Sequence, residues 1–275
     1  MLTSDKLNIN EKNEVIYITF PLFDKSNLVR HAFTTRIGGV SEGIYSSMNM
    51  SFTNGDSDRK VFENYRRICA VIGTNPEKAV LSQQTHTNNV RIVTEDDIGK
   101  GIVKGRDYTD VDGLITNIPD VTLVTQYADC TPLLFCDTVK KVIATSHAGW
   151  RGTASEIGRI TIEKMVDTFG SSPSDIICAI GPSICQNCYE VDDVVYTPLS
   201  KIPYLKKDKI FIRKDNGKYM LDLWETNKEI LINAGIKPEN IDVTDLCTNC
   251  HPDIFHSHRF TKGKRGNLAA LIALK

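Results

Sequence analysis

The chain has 275 residues, of which 41% are hydrophobic and 24% charged, and its formal net charge is −1. That length and apolar content allow a sizeable core, while the balanced charge excludes the basic footprint of a nucleic-acid or anionic-membrane binder. No basic start followed by an apolar segment opens the sequence, and no apolar run approaches a membrane span.

The expectation is therefore one domain over residues 1–275, with residues 1–14 loosely ordered, in the cytoplasm, where eight cysteines stay reduced. Reduced cysteines direct attention to metal ligation, catalysis or plain packing rather than disulfides.

In chain order, runs rich in Val, Ile and aromatic residues predict strands at 15–20 and 28–34. From Arg36 to Asp56 the chain is polar and carries glycines, too long for a simple turn, and reads as a functional loop. A helix is predicted over 58–72: Ser57 can cap it, Val61, Tyr65, Ile68, Cys69 and Ile72 share one face, and Gly73 ends it. Short runs at 79–83, 89–93, 112–116, 121–126, 132–136 and 141–146 read as strands. A second helix is expected from Thr153 to Phe169, stopped by Gly170, and a third over 222–234, capped by Asp222 and stopped by Gly235. Its buried side would carry Leu223, Ile230, Leu231 and Ala234. Strands at 175–180, 209–213, 240–244 and 267–274 complete an α+β pattern.

Three predicted strands run out into short reactive stretches: Gln83-Gln84-Thr85-His86, Tyr127-Ala128-Asp129-Cys130 and Ser146-His147-Ala148-Gly149-Trp150-Arg151-Gly152. Strand ends are where a scaffold presents site residues. One thiolate and two imidazoles suit zinc, and three protein ligands leave a fourth tetrahedral position open. The spacing alone leaves a second reading standing, two hydrogen-bonded histidines and a buried thiol. After His147, glycines and a helix start could receive a phosphate with Arg151 beside it; the alternative is a tight turn with Arg151 paired to a surface carboxylate. The loop from Thr34 to Ser41 could form an anion nest around Arg36 or a simple Gly-Gly turn. Lys206-Lys207 and Lys262-Gly-Lys264-Arg265 read as solvated faces or an anion contact.

The order of motifs is distinctive: Thr-Arg-x-Gly-Gly-Val-Ser-x-Gly (35–43), Met48-Asn49-Met50, Gln-x-His (84–86), Val-Asp-Gly-Leu-Ile-Thr (111–116), Ala-Asp-Cys-x-Pro (128–132), His-Ala-Gly-Trp-Arg-Gly (147–152), Cys-Tyr-Glu-Val (188–191) and Phe-x-Ser-x-Arg (255–259). From about Arg30 to the C-terminus the chain resembles the YfiH/YlmD family, formerly described as laccase-domain or polyphenol oxidases and now regarded as purine nucleoside phosphorylases. The resemblance implies a layered α/β/β/α sandwich with mixed sheets and a metal bound by His86, Cys130 and His147, zinc being the expected ion and copper the alternative. It implies purine nucleosides and phosphate as small-molecule partners: phosphorolysis of adenosine, inosine and S-methyl-5'-thioadenosine, and deamination of adenosine. His258, where Tyr is frequent, and Cys185, where Gly is usual, depart from the family pattern.

For the reaction, Cys130 and Arg151 are the expected catalytic residues. Arg36 and Arg151 are expected to place phosphate. Asn49 would contact sugar or base, or else shape a turn. A carboxylate must shuttle a proton in deamination, and Asp129 and Glu190 are the two considered, Asp129 alternatively supporting the ligand beside it.

Three rival readings use the same residues. Cys130 with His147 or His86 could form a cysteine hydrolase. His₂Cys could hold one copper ion for phenol oxidation, although six histidines with one His-x-His pair are too few for a multicopper centre. Finally, Cys185-x-x-Cys188 and Cys247-x-x-Cys250 could hold a structural zinc in a binding module. Their separation exceeds that of ordinary zinc ribbons, so pairs of buried thiols compete with this reading. Cys247-Thr-Asn-Cys-His251 matches a haem-attachment string, discounted without an export signal.

Overall fold

A computed structural model describes residues 2–275. The strands are, in chain order, β1 (Asn8–Lys12), β2 (Val15–Thr19), β3 (Val29–Thr34), β4 (Ala79–Leu81), β5 (Val90–Ile92), β6 (Gly113–Thr116), β7 (Thr122–Tyr127) and β8 (Thr131–Asp137). They continue as β9 (Val142–Ala148), β10 (Ile176–Ile180), β11 (Glu190–Val191), β12 (Phe211–Arg213), β13 (Tyr219–Leu221), β14 (Ile241–Val243) and β15 (Leu268–Leu274). The helices are α1 (Pro21–Ser26), α2 (Asp58–Ile72), α3 (Trp150–Ala154), α4 (Ile157–Phe169), α5 (Asp193–Ser200), α6 (Lys207–Ile210), α7 (Leu223–Asn233) and α8 (His258–Thr261).

Two mixed six-stranded sheets, in the orders β1-β2-β3-β15-β7-β4 and β14-β10-β8-β9-β6-β5, carry the fold, with a small sheet β11-β13-β12 at one side. Side chains alternate across a strand, and here both faces are apolar. In the first sheet Phe33, Leu123 and Ile272 point to one core while Ala32, Val124 and Leu271 point to another. In the second sheet Leu134, Cys136 and Ile143 meet the first sheet, while Leu133, Phe135 and Ala144 meet Ile162 and Met165 of α4 and Leu231 of α7. On the far side of the first sheet lies α2, through Val61, Tyr65 and Ile68. The result is the α/β/β/α layering expected for the resemblance. Among the described residues no helix is long and apolar enough to cross a membrane.

The structure departs from the expected elements at instructive places. Residues 1–14, read as a loose lead-in, contain β1, which pairs antiparallel with β2 from Asn8↔Thr19 to Lys12↔Val15. The helix expected from Thr153 to Phe169 is two helices, because Glu156 takes a left-handed conformation (φ 54°) between α3 and α4. Its carboxylate is held there by the Tyr204 hydroxyl and by Arg159 Nε at 2.9 Å. The long loop from Arg36 to Asp56 packs inward, with Met48 and Met50 fully buried. Gly39 is required there: a Cβ would lie 2.1 Å from the Ser47 carbonyl oxygen.

Candidate metal centre and cleft

Strand register assembles the centre. Antiparallel pairing of β8 with β9 sets Thr131 opposite Ala148, so Cys130, one residue before, comes beside Gly149, one residue after. Pairing of β6 with β9 sets Gly113 opposite Ser146, so Asp112 comes beside His147, and the His147 N–H donates to the Asp112 carbonyl at 2.8 Å. His86 lies in the loop that leads into β5, with a positive φ of 66°.

The Asp112 carboxylate imposes that unusual backbone. The N–H groups of Thr85, His86 and Thr87 all donate to the Asp112 carboxylate, at 3.0, 3.1 and 2.9 Å, and the Thr87 hydroxyl adds a fourth bond at 3.0 Å. A buried anion thus folds the loop around itself. The same carboxylate accepts from His147 Nδ1 at 2.8 Å. Since a carboxylate only accepts, Nδ1 carries a proton, so that Nε2 is the nitrogen that offers a lone pair when the ring is neutral. Asp112 is fully buried. Burial pushes its pKa up, but the bonds from His147 and the backbone outweigh that and hold it at about 2.

Donor atoms of His86, Cys130 and His147 lie within 4.8 Å of one another. His86 Nε2 is 4.0 Å from Cys130 Sγ, and the two imidazole rings meet edge to face at 4.9 Å. Gly149 makes room for the cluster: a Cβ there would stand 3.0 Å from both Cys130 Sγ and His86 Cδ2. Burial pushes the Cys130 thiol up, yet the opposing pull of His147, joined by His86, brings it down to about 6. Burial pushes His147 down, yet Cys130 and Asp112 raise it to about 9. These donors fit a thiophilic transition metal: one soft sulfur, two imidazoles and a carboxylate bracing one imidazole from behind.

The cluster opens on a cleft of about 600 Å³, a size that suits a small-molecule ligand. Phe52, Ile184 and Tyr189 supply apolar wall, and Arg106, Arg259 and Arg265 supply positive charge. His258, the departure noted in the sequence, also lines it.

The other residues singled out from the sequence do not all converge there. Arg36 is spent on backbone: Nε donates to the Ser46 carbonyl at 2.7 Å and a terminal nitrogen to that of Pro252 at 2.8 Å. Asn49 is fully buried; its amide donates towards Ser51, Asn54 and Asp56 while its oxygen accepts from the Ser51 and Asn267 N–H groups. Both residues tie the long loop together and neither lines the cleft. Arg151 is exposed, outside the cleft lining, with its guanidinium 4.3 Å from the Trp150 ring centre. Glu190 is also outside the lining and is paired with Lys214 and, at 3.1 Å, Lys218. Asp129 does line the cleft, but both its oxygens are engaged, by the Thr248 hydroxyl at 2.7 Å and the Arg259 N–H at 2.6 Å. That favours support of Cys130 over proton transfer.

Asp112 and Arg259 were not among the site residues expected from the sequence, and Arg265 stood there only within a basic cluster read as a solvated face or an anion contact. An aspartate immediately before the Gly-Leu-Ile-Thr strand was the available signal for Asp112.

Comparison with known proteins bears on these observations. A family model described as "Multi-copper polyphenol oxidoreductase laccase" matches residues 30–275. "Purine nucleoside phosphorylase YlmD" of Bacillus subtilis is 39% identical over 247 residues, covering 88% of this chain and 87% of that protein. "Adenosine deaminase RL5" from an unknown prokaryotic organism is 31% identical over 244 residues, covering 86% and 91%. The crystal structure of the hypothetical protein YfiH from Bacillus licheniformis superposes with a TM-score of 0.91 at 33% identity, covering 97% of this chain and 99% of that one. The chain belongs to the YfiH/YlmD family, whose similar members include proteins named purine nucleoside phosphorylase and one named adenosine deaminase.

Proposed function

We propose that this protein is a zinc-dependent purine nucleoside phosphorylase acting on adenosine, inosine and S-methyl-5'-thioadenosine, and that it also deaminates adenosine. The observation that carries this reading is the convergence of His86, Cys130 and His147 in a cleft that also carries aromatic wall and arginine. The names of the relatives support the same two activities. A bound zinc ion supplies Lewis acidity to the polar atoms of the substrate.

The chain's own residues do the rest. Asp112 holds His147 in one tautomer and fixes the loop that carries His86, so the donor set is preformed. Phe52 and Tyr189 offer faces for a purine ring. Phosphate placement passes from Arg36, whose guanidinium is spent, to Arg265, which lines the cleft; Arg259 lines it too, but its guanidinium donates to the Cys188 and Glu190 carbonyls. Arg265 Nε is buried without a protein partner, so its guanidinium is not satisfied by the fold alone. Asn49 holds the loop bearing Phe52 and Thr53. Arg151, exposed on Trp150 and outside the cleft lining, acts on an incoming anion through its charge, which also reaches the lining residue Tyr189.

One geometric observation favours a second reading. Cys130, His147 and Asp112 stand in the order nucleophile, base and orienting carboxylate, as a cysteine hydrolase requires. A mononuclear blue-copper site lacks such support, since Met48, Met50, Met165 and Met220 all lie outside the cleft lining.

The test is to incubate the purified protein with inosine and adenosine, with and without phosphate, before and after chelation, and to analyse products. Phosphate-dependent base release and ammonia from adenosine, both lost on chelation and restored by zinc, are expected. Turnover that survives complete metal removal and ends on alkylation of Cys130 would establish the hydrolase instead.

A further inference from the structure

A second sulfur cluster lies apart from the His/Cys centre. Cys185, Cys188, Cys247 and Cys250 bring their four Sγ atoms within 4.8 Å of one another. None is in a disulfide; the Cys188 and Cys250 sulfurs are 3.4 Å apart. A disulfide would need about 2.05 Å. A tetrahedron of Zn–S bonds near 2.3 Å has edges of about 3.8 Å, a value that lies between the 3.4 Å of the Cys188–Cys250 pair and the 4.8 Å within which all four sulfurs fall.

Two matched turns build the cluster. Cys185 is extended, and a single 3-10 turn at Gln186–Cys188, closed by the Cys188 N–H on the Cys185 carbonyl at 3.0 Å, brings Cys188 back to the same side. The second turn, Cys247 to Cys250, is closed by the His251 N–H on the Cys247 carbonyl at 3.3 Å. The turns lie in register: Ser183 bridges Cys247 in parallel, and the Thr248 N–H donates to the Ser183 carbonyl at 3.1 Å. The Cys185 N–H donates to Cys247 Sγ at 3.2 Å, a bond that favours a charged sulfur. Each sulfur thus faces its counterpart 62 residues along the chain. The wide separation that argues against a zinc ribbon in the linear sequence is closed by backbone pairing in the fold.

We propose that these four cysteines form a closed tetrathiolate site for one structural zinc ion, additional to the centre at His86, Cys130 and His147. Four sulfur ligands leave no open position, so the ion does not act on substrate. Its role is to brace the cleft wall. Ile184 and Tyr189 flank the first turn and line the cleft. Thr248 in the second turn holds Asp129, the neighbour of Cys130, and Arg259 donates to the Cys188 carbonyl at 3.3 Å.

The full-length protein, purified under reducing conditions, is expected to carry two zinc ions per chain. The double variant Cys185→Ser/Cys250→Ser is expected to carry one, and His86→Ala to lose the other, so the two sites are counted separately. Replacing zinc with cobalt in the parent should give the intense visible and sulfur charge-transfer bands of a tetrathiolate, absent from the double variant and retained in His86→Ala. Should the double variant fail to fold, cobalt titration of chelator-stripped parent reads the same spectrum. An unchanged zinc count in the double variant, four freely reactive thiols in the native parent, disulfides at these positions by mass, bound iron in place of zinc, or no tetrathiolate spectrum on cobalt titration would each overturn the proposal.

Discussion

The two sulfur clusters of this protein are made differently. Cys130 and His147 sit where paired strands end, in a register that sets Pro132 opposite His147 and Cys130 beside Gly149, and His86 is drawn in by a loop wrapped around the Asp112 carboxylate. The four cysteines sit on two short turns joined by a single bridge. The first cluster is mixed in donor type, braced from behind and open to a cleft. The second is uniform in donor type and closed on itself. Rigid strands with a buried anion preorganise an open site; turns can form a closed site because four bonds to one ion supply the rigidity.

The sharpest way to break this comparison is to remove the soft donor of the open site. Cys130→Ala should leave the strands paired but abolish stoichiometric metal at the centre and lower nucleoside turnover to below about one hundredth; parental turnover in this variant would remove the basis for the metal role. Asp112→Asn comes next. It keeps the shape but loses the acceptor that fixes His147 and three backbone N–H groups, and a 10–100-fold weaker metal affinity is expected by competition with a chelating dye, on the order seen for such bracing partners. An unchanged affinity would mean that the loop holds His86 without its anion.

A smaller effect is expected at Arg265. Arg265→Gln should raise the KM for phosphate about tenfold, the loss of one charge-assisted bond of roughly 1.5 kcal/mol, while deamination of adenosine, which consumes no phosphate, stays within about twofold. Equal losses in both reactions would show that Arg265 shapes the cleft rather than receiving phosphate.

The smallest effect is on stability and lies away from both clusters. His31 is buried against Phe20 and Phe23, accepting the Phe20 N–H on Nε2 at 2.9 Å. Burial lowers its pKa to about 4, with Asp24 opposing. The unfolded imidazole takes up a proton near pH 6.5, while the folded one refuses it until about pH 4. Stability is therefore complete above pH 6.5 and falls as pH drops towards 4. Melting temperature measured over that window should decline in the parent and decline less in His31→Gln; identical slopes would show that other groups govern the acid limb.

Much of the framework was readable in the sequence because it rests on local pattern. The period of helix α2, from Ser57 to Gly73, follows from spaced apolar residues and a glycine that ends with φ 78°. Strands β6 to β9 announce themselves as apolar runs with β-branched residues, since both faces of each are buried. Among the elements that escaped, α5, α6, β11 and β13 are short, and their apolar residues gain partners only in the fold, from one another and from Leu223 and Ile230 of α7. The break at Glu156 escaped because it depends on Tyr204 and Arg159, one of them remote in the chain.

At the centre, the chain order of motifs named His86, Cys130 and His147, because donor type and strand-end position are local properties. The same reasoning assigned Arg36 and Asn49 to substrate by residue type, and their partners, among them Pro252 and Asn267, come from the far end of the chain. Asp112 went unassigned because an acid before an apolar strand has many uses until register places it beside His147.

By itself, the sequence determined most of the longer strands and helices and which atoms could bind a metal. Only the tertiary structure decided which of those atoms meet. Register converts a one-residue step along β8, β6 and β9 into contact between Cys130, Gly149, His147 and Asp112, and one bridge between Ser183 and Cys247 brings together cysteines 62 residues apart. Local propensity acts over a few residues, whereas metal ligation and anion burial require atoms within a few ångströms, and only chain crossing supplies that.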